Sequence, residues 1–180
     1  MNEDIVKIPK ERVAVLIGVK GQDKRMLQQK THCKLTIDTE EGDVTISGEA
    51  VDVFNTIPII KAIGRGFNPK VALKLLNEDQ AFKLIEIKDF IGRNKNALAR
   101  VKSRIIGTEG TARKAIEEYT NTNIIVYGKT VGIIGEMEDA EIAAEAVENI
   151  LRGARHGNVY AWIQEKNKKR MREAYEQRKR

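Results

Sequence analysis

The strongest constraint on the fold of this chain is an internal repeat in its sequence. When the sequence is shifted by 89 positions, Leu16-Ile17-Gly18 falls on Ile105-Ile106-Gly107 and Gly21 falls on Gly110. The apolar residues that follow keep this register, before the offset drops to 87 near Ile46. Because the register holds across a glycine pair and its apolar frame, we expect two copies of one fold of roughly 70 residues each.

The spacing of apolar residues predicts the same order of elements, β-α-α-β-β-α, in both copies. In the first copy it predicts strands at 5–8, 34–37 and 44–46, and helices from Pro9 to the first glycine, at 22–31 and at 50–64. In the second copy it predicts strands at 82–87, 124–127 and 131–134, and helices at 96–106, 111–119 and 138–153. Ile8 lies ten residues before its first glycine and Ile87 twenty before its own, so the second copy contains an insertion.

This order predicts an α+β chain with two tandem domains, residues 1–66 and residues 82–156. Residues 67–81 are expected to form a linker helix, and so short a linker favours two domains that pack against each other. Residues 157–180 are expected to form a basic C-terminal helix and tail. Its docking face is expected to contain Val159, Trp162 and Ile163, extended by Met171 and Tyr175.

The net charge of +6 is concentrated at the C-terminus. Nine basic and three acidic side chains lie between Arg155 and Arg180, which accounts for the whole excess, so residues 1–154 are neutral overall. Any site for a polyanion in the body of the protein must therefore come from local clustering of bases. The basic helix itself has two interpretations, a solvated face or a non-specific contact to phosphate.

Several classes of protein are disfavoured by the composition. No apolar run approaches the ~20 residues that a membrane span needs, and the charged N-terminus does not resemble a secretory signal. The lone cysteine, Cys33, excludes an internal disulfide and fits a reducing compartment, so we expect a cytoplasmic protein. Gly128-Lys129-Thr130 resembles the end of a phosphate-binding P-loop, but Asn123 stands where that motif needs glycine.

Catalytic and metal sites also find little support in the sequence. His32-Cys33 has no second cluster with which to bind a metal, and His156 lies in a polar turn, where a helix-end role fits better than a catalytic one. We therefore expect no enzyme activity, no cofactor and no metal.

The Gly-x-x-Gly segments lie between two predicted helices in each copy. Glycine permits backbone conformations that side chains forbid and lets another backbone approach closely. The second helix starts at this break, so its free N–H groups and the positive end of its dipole point into the gap. A sugar-phosphate backbone fits such a gap, and the bases would then lie on the adjacent apolar strand.

Both segments, LIGVKGQDKRML and RIIGTEGTARKAI, resemble the signature of the KH family, and the element order resembles the eukaryotic type of KH domain. The resemblance implies a clamp that grips about four nucleotides of single-stranded RNA. The candidate RNA-binding residues of the second copy are Arg100, Lys102, Arg104, Ile106, Gly107, Thr108, Glu109, Gly110, Thr111, Arg113, Lys114, Ile124, Val126 and Lys129. Those of the first copy are Ile17, Gly18, Val19, Lys20, Gly21, Lys24 and Arg25.

The two copies differ in the loop that forms the second wall of such a groove. In the first copy, residues 38–43 contain four acids and no base, which would repel phosphate. In the second copy the loop is short, residues 127–130, and contains Lys129. We expect the second copy to be the principal RNA site and the first to be an accessory grip or a protein-binding module. Glu109 is an unexpected acid between the glycines of the second copy.

The linker segment KAIGRGFNPKVALKLLNEDQAFKLIEIKDFIG and the GNVY after the last repeat helix resemble the archaeal counterpart of the partner-of-Nob ribosome-assembly family. The resemblance implies binding of small-subunit rRNA near its 3′ end, together with a PIN-domain endonuclease and other small-subunit or initiation factors. A protein-interaction scaffold that recruits such a nuclease or translation initiation factor remains the alternative.

Overall fold

Each copy of the repeat folds around a three-stranded sheet. In the computed structural model, which describes residues 1–92 and 94–179, the first sheet contains β1 (Asn2–Lys7), β2 (Lys34–Ile37) and β3 (Asp43–Gly48) in the order β1-β3-β2. The second contains β4 (Gln80–Glu86), β5 (Asn123–Tyr127) and β6 (Thr130–Glu136) in the order β4-β6-β5. β3 runs antiparallel to both neighbours, and β5 runs antiparallel to β6. In both sheets the last strand in sequence is therefore central.

The helices occupy the positions that the apolar spacing predicts. The first copy contains α1 (Lys10–Ile17), α2 (Gln22–Thr31) and α3 (Ala50–Gly64), followed by the short α4 (Pro69–Ala72). The second contains the short α5 (Lys88–Ile91), then α6 (Lys95–Ile106), α7 (Thr111–Thr120), α8 (Met137–Leu151) and α9 (His156–Gln177). The predicted α+β class and the order β-α-α-β-β-α are confirmed.

The chain divides into two compact units, Met1–Phe82 and Lys83–Arg180. Within each unit, helices cover one face of the sheet and bury equivalent side chains. Leu16, Leu27 and Leu35 of the first unit match Ile105, Ile116 and Ile124 of the second, and all six are at most 2% exposed. The domain boundaries at residues 66, 81 and 156 stay a prediction, and Arg180, the last residue of the predicted basic tail, lies outside the described residues.

The insertion of the second copy contains α5, a helix that the sequence did not predict. Its Phe90 lies under the guanidinium of Arg152, 5.2 Å from the ring centre.

Several apolar side chains of the helices are exposed, although the amphipathic pattern predicts that they are buried. Val51 and Phe54 of α3 are 69% and 74% exposed, although they continue its apolar pattern. In α9, Val159 and Ile163 are buried as expected. Met171 and Tyr175 are exposed, so the predicted extension of the docking face to these two residues is wrong.

In each copy, an arginine from the helix before the Gly-x-x-Gly loop holds the C-terminal end of the last repeat helix, α3 or α8. Arg12 of α1 donates to the carbonyls of Ile63 and Phe67, at 2.8 and 2.7 Å. Arg104 of α6 donates to the carbonyls of Ile150 and Ala154, at 2.8 and 2.5 Å. Carbonyls at a helix C-terminus lack intrahelical partners, and a cation there also complements the helix dipole.

No helix in the described part of the chain is long and apolar enough to cross a membrane.

Candidate nucleic-acid interface

The break between α6 and α7 is set by left-handed backbone geometry. Gly107 has φ 73° and ψ 175°, Glu109 has φ 53° and ψ 25°, and Gly110 has φ 78° and ψ 14°. The first copy repeats this geometry at Gly18, Lys20 and Gly21, with φ of 72°, 52° and 73°. Since the same three of four positions are left-handed in both copies, the loop is one conserved conformation within the chain.

The two glycines of the second copy are required for different reasons. A Cβ on Gly107 would lie 2.7 Å from the backbone nitrogen of Ala112, so no side chain fits there. Its φ and ψ also fall in a region that is essentially restricted to glycine. A Cβ on Gly110 would meet nothing closer than 3.8 Å, and only its positive φ disfavours a side chain.

The N-terminus of α7 is open to a ligand. No side chain caps it in the described structure, and the nearby Thr111 hydroxyl donates instead to the carbonyl of Thr108 at 2.8 Å. The first N–H groups of a helix have no intrahelical partners and carry the positive end of the dipole. This end of α7, reached over an exposed Thr108, is therefore suited to an anion.

The wall opposite α7 is the edge strand β5, and side chains of α7 fasten it at one residue. Glu117 accepts the N–H of Ile124 at 2.7 Å, and Arg113 donates to the carbonyl of Ile124 at 3.1 Å. Arg113 and Glu117 also pair at 3.3 Å. Ile124 is 2% exposed, so it belongs to the core and its backbone is already bonded. It offers a ligand neither side chain nor backbone, contrary to the role expected for it.

Val126, two residues after Ile124 on the same edge, is less buried than Ile124. Backbone groups of a strand alternate in direction, so the N–H and carbonyl of Val126 point outward, as those of Ile124 do. Its side chain is half-buried, as is that of Ile106 at the end of α6. Both lie on elements that contact each other, α6 and the edge strand β5, so they offer apolar surface near an open strand edge, which suits the face and edge of a base.

The predicted basic residues divide into free and engaged groups. Arg100, Lys114 and Lys129 are exposed, and Lys102 is half-buried. Arg104 has its guanidinium bonded to carbonyls at the end of α8, and Arg113 is bonded to β5. We therefore assign Arg104 and Arg113 to holding the framework of the site, not to contacting a ligand directly. Glu109 is exposed at the tip of the loop, where its side chain extends into solvent.

The first copy carries an acid where the second carries Ala112. A Cβ on Gly18 would lie 2.2 Å from Oδ2 of Asp23, so this carboxylate sits directly against the first loop. Arg25 donates to the carbonyl of Lys20 at 2.9 Å, which places its guanidinium against the same loop. The N-terminal end of α2 therefore already has a negative group beside it.

The other predicted residues of the first copy are arranged much as in the second. Val19 is 78% exposed and Lys20 is exposed, while Ile17 and Lys24 are half-buried.

The acidic loop of the first copy is ordered and partly neutralised. Asp38 accepts the N–H groups of Glu40 and Glu41 at 2.8 and 3.0 Å, and these bonds, led by that of Glu41, lower the pKa of Asp38. Lys7 from β1 lies 3.7 Å from the carboxylates of both Glu41 and Asp43. The sequence alone shows a loop without a base, whereas the fold supplies one from β1.

The described residues contain no group of three His, Cys, Asp or Glu side chains that could hold a metal ion.

The chain matches known proteins over both copies. Residues 3–61 match the model of the KH domain, and residues 81–168 match that of the eukaryotic type KH-domain, KH-domain type I. A KH domain-containing protein of Methanocaldococcus jannaschii is 43% identical over 178 residues, covering 96% of this chain and 78% of that relative. The pre-rRNA-processing protein PNO1 of Chaetomium thermophilum is 30% identical over 142 residues, 72% of this chain and 53% of its own length.

A solved structure extends this similarity. A chain of the crystal structure of the a/eIF2alpha–aDim2p–rRNA complex from Pyrococcus horikoshii OT3 superposes with a TM-score of 0.86 at 44% identity. The match covers 93% of this chain and 95% of that chain.

The contrast between the two glycines can be tested by stability. We expect Gly110→Ala to lower the free energy of unfolding by about 1 kcal/mol, the cost of a left-handed alanine. Gly107→Ala should cost about 1–3 kcal/mol more, because it adds a disallowed conformation and a backbone clash. Urea unfolding followed by the fluorescence of Trp162, the single tryptophan, measures the second unit. Equal losses in the two variants would contradict the assignment.

Proposed function

The chain belongs to the archaeal KH-domain family related to PNO1, and from that membership we propose that it binds single-stranded rRNA near the 3′ end of the small-subunit rRNA. The observation that carries the proposal is the open N-terminus of α7 behind Gly107 and Gly110, with Arg100, Lys114 and Lys129 exposed around it. The relative in the rRNA complex supports the choice of rRNA as the ligand.

The geometry suggests how the strand is held. Phosphates lie over Thr108 and Thr111, where the N–H groups of α7 and the dipole favour negative charge. The bases turn towards Ile106 and Val126, where they bury apolar surface and meet an open strand edge. Lys129 closes the other side, and Lys102 and Lys114 add charge along the backbone. This is the grip on about four nucleotides that a KH domain provides.

The second domain is the principal site in this proposal. Its α7 begins beside Ala112, whereas α2 of the first domain begins beside the carboxylate of Asp23. A phosphate that approached Gly18 would meet a like charge at close range, while one that approached Gly107 would not. The first domain then acts as an accessory grip or as a protein-binding module.

We propose that the protein acts by binding and positioning RNA, not by cutting it. In this view a PIN-domain endonuclease performs the cleavage, and other small-subunit or initiation factors share the assembly. The relatives named for pre-rRNA processing and for an rRNA complex support a place in ribosome biogenesis. A cytoplasmic location stays a prediction.

A second candidate function, protein binding by the first unit, is favoured by the exposed side chains of α3. Phe54 and Val51 are exposed, and Phe54 borders an open hollow of about 310 Å³ together with Ile57, Pro58 and Leu75. Exposed apolar surface of this kind marks sites of association. The α subunit of archaeal initiation factor 2 is the partner to test, since a similar protein is found in a complex with it.

The clamp is tested by converting Thr108 and Glu109 together to aspartate. We expect the affinity for a short single-stranded oligonucleotide with the sequence of the rRNA 3′ end to fall at least about tenfold, because an acid next to the phosphate path opposes binding. Fluorescence anisotropy at fixed salt measures it. Unchanged affinity in a variant with unchanged thermal stability would refute the clamp.

The difference between the domains is tested by exchanging one acid. Ala112→Asp should weaken binding of the same oligonucleotide about tenfold, since it places a carboxylate against the second loop, while Ala112→Ser serves as the neutral control. The reciprocal Asp23→Ala is made in the protein whose second loop already carries two aspartates. In that protein, Asp23→Ala should restore measurable binding of the oligonucleotide, now by the first domain. If Ala112→Asp binds as tightly as Ala112→Ser, the acid does not decide which domain binds.

Protein binding by the first unit is tested at Phe54. Phe54→Ser should abolish binding of the purified α subunit of archaeal initiation factor 2 in a pull-down without altering RNA affinity, because Phe54 is exposed and far in sequence from the second loop. Tyr175→Ser removes another exposed aromatic residue and should have no effect. Retained binding by the Phe54 variant would contradict this role of α3.

A further inference from the structure

A hollow lies on the flank of the second loop, away from β5. It is an open hollow of about 660 Å³, lined by α6, the loop, the start of α7 and the first turns of α9, all within the second unit. This size falls in the range of protein pockets that hold small ligands, about 300–1,000 Å³. Its lining contains the polar and aromatic residues Arg100, Ser103, Arg104, Thr108, Thr111, His156 and Tyr160.

His156 is fixed in the hollow by a hydrogen bond that defines its tautomer. Its Nε2 lies 2.7 Å from the carbonyl oxygen of Arg104. A carbonyl only accepts, so Nε2 carries the proton and the neutral ring keeps Nδ1 as an acceptor. Arg104 also bonds the end of α8 through its guanidinium, so the His156 imidazole is held by the residue that joins α6 to α8.

Tyr160 stands beside His156 one turn along α9. The two ring centres are 6.2 Å apart, and the ring centre of Tyr119 from α7 lies 5.7 Å from that of Tyr160. Burial, with a smaller contribution from Tyr119, raises the pKa of Tyr160, so its hydroxyl is a neutral donor at physiological pH. The hollow thus has an aromatic wall and, in the exposed Arg100, a cation at its rim.

We propose that this hollow is a nucleotide subsite that extends the clamp, and this inference rests on the proposed function. The nucleotide next to the clamped stretch passes over Thr108 and places its base against Tyr160 and His156, while Arg100 contacts its phosphate. Aromatic side chains are the usual platforms for unpaired bases in RNA-binding proteins. The RNA site of the second domain is then longer than the groove between α7 and β5.

The first copy shows that these side chains are not imposed by the fold. An equivalent hollow of about 760 Å³ lies beside the first loop, between α1 and α4. The acid Asp23 and the base Lys70 line it, and its lining contains no aromatic residue. By the repeat offsets, Glu11 and Pro69 stand where the second copy has Arg100 and His156. The same framework therefore exists without the features that suit a nucleotide.

The experiment compares two lengths of single-stranded RNA on the full chain. Tyr160→Leu should weaken binding of an eight-nucleotide oligomer about tenfold, the effect typical of removing one stacked base, and leave a four-nucleotide oligomer unaffected. Tyr160→Phe keeps the ring and should retain wild-type affinity for both. Tyr175→Leu, on the exposed end of α9, is the matched control and should also bind both normally.

A second measurement on the unmodified protein does not depend on how the variants fold. The base analogue 2-aminopurine is placed in turn at each position of the eight-nucleotide oligomer. Stacking in the hollow predicts strong quenching at one position that flanks the four clamped nucleotides, and loss of that quenching in the Tyr160→Leu variant.

The outcomes separate this inference from the proposed function. If the variant with aspartate at positions 108 and 109 binds both oligomers normally, the clamp itself is refuted. If that variant loses binding of both oligomers while Tyr160→Leu still binds both normally, only the subsite is overturned. Equal loss of both lengths in Tyr160→Leu, with no quenched flanking position in the unmodified protein, would assign Tyr160 a structural role and also overturn it.

Discussion

The backbone of the Gly-x-x-Gly loop is the constraint on which the site depends. Left-handed geometry at three of its four positions ends α6 at Ile106 and restarts the chain as α7 at Thr111. Because the turn is made by the backbone alone, no side chain is needed to cap α7: the Thr111 N–H donates to the carbonyl of Thr108, and this end of the helix carries no side-chain cap in the described structure. Ile106, Lys114 and the flanking hollow take their positions from this turn, while β5 and the loop after it supply Val126 and Lys129.

Sequence patterns predicted the elements well and the partners of individual side chains poorly. Duplication and apolar spacing predicted both sheets and all the long helices, because an element buried on one face repeats its apolar residues with a regular period. The short α5 was missed, since four residues have no period to detect. Counting charges could not separate Arg104, which holds α8, from Arg100, which is exposed. Alternation placed Ile124 and Val126 on one face but could not tell which was buried. Asp23 gave no signal, because only the folded loop brings it against Gly18.

In both copies an arginine side chain caps the C-terminal end of the last repeat helix, but the two arginines come from different positions of the repeat. Arg12 and Arg104 hold equivalent carbonyls at the ends of α3 and α8, yet they differ by one helical turn in the register of the repeat. A long guanidinium reaches the same acceptors from either turn. The carbonyls that need a donor are equivalent in the two copies, whereas the arginines that bond them are not. Aligning the two copies residue by residue would therefore not reveal that Arg12 and Arg104 have the same role.

The bond between helix and edge strand is made by different side chains in the two copies. Gln28 accepts the N–H of Leu35 at 2.8 Å in the first copy, at the position where Glu117 accepts that of Ile124 in the second. The amide does this without charge, whereas the carboxylate is paired with Arg113. Replacing either Arg113 or Glu117 alone removes the ion pair but leaves the other side chain its bond to the backbone of Ile124. The strand that the second domain would use to read a base is therefore fixed at both the N–H and the carbonyl of Ile124 by a charged pair, whereas in the first copy a neutral amide holds the N–H of Leu35.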